Sequence, residues 1–190
     1  MRSLVSMALS PEPCMDNAAR RFAVALLGIA VSIILFHTQL AGALIVRGDE
    51  MLVRNSYDGA SNRYRRALWL DSSSSIAADR FIFVSLQRRT PQALRSAVGV
   101  ASAYLAKRHD DPTVLFDRGM CQLLLKRYRA ALLDFDRAAR LTRDPQEYAF
   151  AGWAAKRSGK LSQAVKLWNA ALRLRPGYRP AMAALAEFKR

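Results

Sequence analysis

The chain has 190 residues, 52% apolar and 24% charged, with 30 basic residues against 15 acidic ones and a net charge of +15. That length suits one ordinary domain plus an extra segment. Two cysteines without a CxxC pair (Cys14 and Cys121) and two histidines (His37 and His109) exclude a disulfide framework and leave histidine-based catalysis few candidates.

Residues 1–21 form a short tail whose cations are Arg2, Arg20 and Arg21. From Phe22 to Val46 there is no charge over 25 residues. A helix of that length reaches about 37 Å, enough for a hydrocarbon core of about 30 Å with some tilt. A transmembrane anchor over 22–46 is therefore expected, with Phe22–Phe36 as its continuous apolar part and His37, Thr38 and Gln39 towards one interface. One helix has no bundle interior for His37 to line, so an interfacial place is the simpler reading. Ala41 and Ala43 in "LAGA" also suit a signal peptidase, and cleavage near Ala43 would release a soluble exported protein. Against this, apolar character resumes at Leu44-Ile45-Val46, which favours an uncleaved anchor. Arg20 and Arg21 before the segment, against Asp49 and Glu50 after it, favour a cytoplasmic N-terminus and an exported C-terminal domain. A bacterial inner-membrane protein crossing once fits this arrangement.

Beyond the anchor three stretches share a pattern. "YDGASNRYRRALWL" places Ala60, Tyr64 and Ala67; "YRAALLDFDRAARL" places Ala131, Phe135 and Ala138; "LSQAVKLWNAALRL" places Ala164, Trp168 and Ala171. Each is small, aromatic, small at i, i+4 and i+7, one face of a helix packed close to a neighbour. Twelve residues before each leading alanine stands a glycine, Gly48, Gly119 or Gly152, and Pro176 closes the last unit. Ordinary amphipathic helices do not explain that fixed distance. The glycine and paired alanines let two antiparallel helices approach, while the aromatic is expected to fill the space left between helix pairs.

These residues and spacings resemble the tetratricopeptide repeat, a helix–turn–helix unit of about 34 residues. The resemblance implies an all-α fold: the transmembrane helix continues into an α-solenoid of about four repeats over 41–190. The repeats fall at 41–74, 75–111, 112–144 and 145–178, with a solvating cap at 179–190. The second is degenerate. Counting back from Pro112 puts Ser85 at the glycine position, Ala97 at the first alanine, Ala101 at the aromatic and Tyr104 at the second alanine. The serine tract 72–75 serves as an inserted turn, and Asp111 in "RHDDP" reads as a helix N-cap rather than a metal ligand.

The resemblance also implies a concave groove lined by the first helix of each repeat. Carried onto this chain, it is formed by Thr113, Phe116, Met120 and Leu123, then Gln146, Ala149, Trp153 and Lys156. Lys and Asn, with which some relatives grip a terminal carboxylate, are replaced here by Phe116 and Met120, then by Ala149 and Trp153. An apolar groove with a basic rim at Lys156 and Arg157 suits an apolar or amphipathic protein segment. The expected function is thus a membrane-anchored scaffold or adaptor in a bacterial envelope assembly, not an enzyme, with no cofactor and no metal.

From residue 47 onward 27 basic residues face 13 acidic ones. Such a balance attracts anionic lipid or nucleic acid. The arginines are spread through every repeat with no stacking-aromatic array or nucleic-acid motif, so the clusters "NRYRR" and "LKRYR" fit solvated helix faces that favour anionic headgroups better than nucleic acid.

Overall fold

The computed structural model describes residues 17–188; the tail with Arg2 and Cys14, and the last two residues of the expected cap, lie outside the described residues. Among the described residues the chain forms nine helices and no strand. They are α1 (Asn17–Val53), α2 (Tyr57–Leu70), α3 (Ser75–Arg88), α4 (Pro91–Leu105), α5 (Pro112–Leu124), α6 (Tyr128–Thr142), α7 (Pro145–Arg157), α8 (Leu161–Leu174) and α9 (Arg179–Phe188). The chain divides into two compact units, Met1–Gln39 and Leu40–Arg190.

In the first unit Phe22, Leu27, Ile29, Ile34 and Phe36 are all exposed, the reverse of a core helix. By length and composition alone, α1 is able to cross a membrane, with a mean hydropathy of 2.1 over its apolar window.

The second unit repeats one local design. Pro112 and Pro145 stand in the first turns of α5 and α7, where their fixed φ suits the helix and the missing N–H costs nothing. Asp111 and Asp144 cap those helices by accepting from the Val114 and Gln146 N–H groups at 3.2 and 2.7 Å. The first helix of a pair then ends on a left-handed residue: Asn55 (φ 57°), Lys126 (φ 60°) or Gly159 (φ 83°). At each, the next N–H bonds back across the turn: Ser56 to the Met51 carbonyl, Arg127 to that of Gln122, and Lys160 to that of Ala155, at 2.8–2.9 Å. This closure satisfies otherwise orphaned carbonyls and turns the chain into the second helix.

The two helices of a pair meet where the glycine and the aromatic face each other. A Cβ on Gly48 would lie 2.4 Å from the Tyr64 ring, one on Gly119 2.7 Å from Phe135, and one on Gly152 2.4 Å from Trp168. The aromatic thus fills the space above its own repeat's glycine, not only the space between pairs. Tyr64, Phe135 and Trp168 are fully buried, with Ala60, Ala67, Ala131, Ala138, Ala164 and Ala171 equally buried on the same faces. Pro176 follows the end of α8.

The second repeat departs from the register expected for it. Its connection is the two residues Arg89-Thr90, one shorter than the others, with Arg89 left-handed at φ 52°. The eighth residue of α3 is Ile82, where α5 and α7 have Gly119 and Gly152, so Ile82 and not Ser85 takes the glycine's place. With one residue missing from the turn, buried Ala93, Leu94, Ala97 and Ala101 of α4 match Ala131, Leu132, Phe135 and Ala139 of α6. Ala97 therefore stands where the aromatic stands elsewhere, not at the first alanine, and shares a core cluster with Ile82. Large and small are exchanged: a bulky residue on the first helix meets an alanine on the second. The count from Pro112 slipped by four on α4, because the 106–111 connection is long, and by three on α3, where the shortened turn restores one residue.

Tyr104 ties this repeat to the next. Its hydroxyl donates to Asp111 Oδ2 at 2.9 Å, on the same carboxylate that caps α5, and burial and Asp111 raise its pKa. Arg118 on α5 grips the buried Asp134 on α6 through Nε at 2.8 Å and a terminal nitrogen at 2.6 Å, and also donates to Ser102 on α4 at 3.1 Å. From α9, Ala181 and Ala184 close the cluster around Trp168.

Two substitutions test these assignments with opposite signs. Gly152→Ala forces its methyl against the indole and should lower stability by about 2 kcal/mol. Lys126→Gly relieves a left-handed residue that carries a Cβ and should raise it by roughly 0.5–1 kcal/mol. Urea unfolding followed by circular dichroism reads both.

Candidate partner groove

The first helices of the last two repeats place the expected groove residues as follows. Gln146, Ala149 and Trp153 on α7 line a pocket of about 400 Å³ with Phe150, Tyr178 and Pro180. Trp153 and Lys156 also line a second pocket of about 200 Å³, closed by Trp168, Arg157, Ala184 and Glu187. Trp153, 50% exposed, thus belongs to both. Lys156 is paired at 2.9 Å with Glu187 of α9, and Arg157 lies over the Tyr128 ring at 5.1 Å while donating to its hydroxyl at 3.0 Å. The basic rim is therefore partly spent on internal partners.

Thr113 lies apart from these four, beside a pocket of about 470 Å³ that includes Asp79, Arg80 and Asp111. Phe116, Met120 and Leu123 are half-buried against the core. The Phe116 ring sits 5.4 Å from both Phe135 and Phe150, which are 5.5 Å from each other, so Phe116 works chiefly as packing between repeats. The structure brings Gln146, Ala149, Trp153 and Lys156 together around the two pockets and leaves the other four elsewhere.

Residues outside the expected set complete the site. Phe150 follows Ala149 in sequence but is not on the row of positions carried over, Tyr178 is the last residue of the fourth repeat, and Pro180 comes from the cap. Between α3 and α5 the face is acidic rather than basic. Burial, then Asp79, then Asp111, push Asp117 up from the usual carboxylate range to about 6. The Cys121 thiol, buried near Asp117, is pushed up to about 12, which makes it inert.

No family model and no curated protein matches this chain. Solved structures do. The crystal structure of a MamA protein superposes with a TM-score of 0.68 at 16% identity, covering 75% of this chain and 77% of that one. YrrB, described as a TPR protein with an unusual peptide-binding site, superposes with a TM-score of 0.66 at 16% identity, covering 85% and 88%. The fold is that of a tetratricopeptide-repeat solenoid. PilF of Pseudomonas aeruginosa shares it at a TM-score of 0.59 and 24% identity, covering 76% of this chain and 65% of that one.

The raised pKa of Asp117 has a defined sign. A carboxyl that holds its proton more tightly folded than unfolded favours the fold at low pH, and that benefit disappears as pH rises from about 4 through 6. Asp117→Asn should therefore raise stability relative to wild type by about 1 kcal/mol at pH 7.5, a figure reduced for its partial exposure. The gain should vanish near pH 4, as thermal unfolding at matched ionic strength will read.

Proposed function

We propose that the protein is an adaptor fixed to a bacterial envelope membrane by residues 22–46, binding a segment of a protein partner on the concave face at α7 and the cap. The observation that carries this reading is Trp153, a large aromatic left half-exposed between two pockets rather than packed into either. Aromatic anchors in such pockets supply most of the energy of many interfaces. The surroundings are mainly apolar, from Ala149, Phe150, Tyr178 and Pro180, with Gln146 to orient a backbone or polar group. That chemistry suits an apolar or amphipathic segment. The peptide-binding site named for YrrB supports a binding role by analogy of fold.

Two observations bear on the anchor: the first fits any membrane-inserted helix, and the second supports its retention. The apolar side chains of the first unit are exposed, as a lipid-facing helix requires. Ala41 is buried in a cluster with Ala67 and Ala77, against which Leu44 and Ile45 also pack. Cleavage near Ala43 would remove Ala41 from that cluster, so the released soluble form is the weaker reading.

Capture from mildly solubilised membranes, with the intact mass of the recovered chain, tests the proposal. Trp153→Ala should reduce partner recovery at least tenfold, about 1.4 kcal/mol or more, without changing the unfolding midpoint. The recovered chain should retain residues 1–43. A partner held equally by the variant removes the groove, and a mass beginning near Leu44 removes the anchor.

A further inference from the structure

A polar pocket of about 270 Å³ lies away from the concave groove, where α2 and α3 meet the start of α4. Its wall is polar and carries two cations and one carboxylate: Asp58, Ser61 and Arg65 from α2, Arg88 from α3, and Gln92 and Ser96 from α4. Phe81, itself buried, forms part of the floor.

Most of the polar groups here have internal work. Ser85 donates to the Phe81 carbonyl at 2.8 Å, and Thr90 caps α4 by accepting from the Ala93 N–H at 3.2 Å. Arg65 donates to Asn62 Oδ1 at 2.9 Å. Arg88 pairs with Asp58 at 2.7 Å, but the Asp58 side chain is 81% exposed, so that hold is weak. Ser61 is the exception. It is only 4% exposed, lines this pocket, and makes no hydrogen bond among the described residues. Its hydroxyl opens to the pocket and is available to a group bound there.

We infer that this pocket binds a phosphate-type oxyanion through Arg65, Arg88, Ser61 and the first turn of α4. Pro91 has no N–H and Thr90 holds the Ala93 N–H, so the first turn of α4 offers an anion the Gln92 N–H and the positive end of the helix dipole. Guanidinium groups match the several oxygens of a phosphoryl group, and Ser61 and Ser96 are small donors for the remaining ones. The volume admits a phosphate group together with a few further atoms. A small phosphate ester and a phospholipid headgroup share this chemistry. Asp58 opposes the ligand by occupying Arg88, so the anion competes with an exposed carboxylate for the same guanidinium.

That competition gives a test in which folding defects and binding defects move apart. The full-length chain in zwitterionic detergent is titrated with inorganic phosphate against chloride at equal ionic strength, following the unfolding midpoint. Phosphate should raise the midpoint saturably, and Arg65→Gln should shift half-saturation at least ~10-fold to higher concentration. Asp58→Asn, by freeing Arg88, should shift it several-fold lower, a gain that no damaged fold produces, while Arg173→Gln on α8 should leave it unchanged. A parallel titration with soluble short-chain phosphatidylglycerol distinguishes the sources. Response to free phosphate assigns a small ester, and response to the lipid alone assigns a headgroup, with the same order of variants in either case. Identical responses of wild type, Arg65→Gln and Asp58→Asn to both probes would overturn the site.

Discussion

Everything in the repeat unit depends on a ring seated on a glycine. In three of four helix pairs the aromatic of the second helix occupies the place of the missing Cβ on the first, with separations of 2.4–2.7 Å to where that atom would be. Such a contact fixes the distance and the rotation of the two helices together, because a ring that deep tolerates neither sliding nor tilting. The flanking alanines then follow as a consequence, since only small side chains fit beside helices held that close.

The rings differ because their surroundings do. Tyr64 donates from its hydroxyl to Asp49 at 2.7 Å, and Trp168 donates from its indole nitrogen to the Ala149 carbonyl at 3.3 Å. Each polar tip is thus answered by the first helix of its own pair. Phe135 has no polar tip and joins Phe116 and Phe150 in a cluster reaching into the next repeat. Where the seat is absent, at Ile82 and Ala97, Tyr104 reaches the N-cap carboxylate of the following repeat instead. The same residue on α7 that supports Trp168, Ala149, also lines the pocket beside Trp153. The core contact and the proposed binding surface therefore share one helix, and disturbing one bears on the other.

The glycine-to-alanine spacing was enough to read the three regular pairs from sequence, because a ring over a glycine leaves residue types that nothing else requires. The degenerate pair was legible as two helices but not in register, since Ile82 and Ala97 carry no distinctive signature once exchanged. Of the three left-handed turns within regular pairs, the one at Lys126 was hidden, whereas Gly159 and, more weakly, Asn55 announce such a conformation by their type. At the groove, Trp153 and Gln146 follow from position in a repeat. Phe116 does not, because whether its ring faces a partner or the adjacent Phe150 depends on how successive repeats rotate. Asp79 comes from α3 while Asp111 and Asp117 are the cap and body of α5, so no linear spacing brings all three charges together.

The most direct measurement of the central contact is a double-mutant cycle between Gly119 and Phe135, by urea unfolding of wild type, Gly119→Ala, Phe135→Leu and the double variant. If the ring is what makes glycine necessary, the alanine will be costly beside phenylalanine and nearly free beside leucine, giving a favourable coupling of about 1 kcal/mol or more. Strictly additive costs would contradict the account, and would place the requirement for glycine in the backbone of α5 rather than in the ring above it.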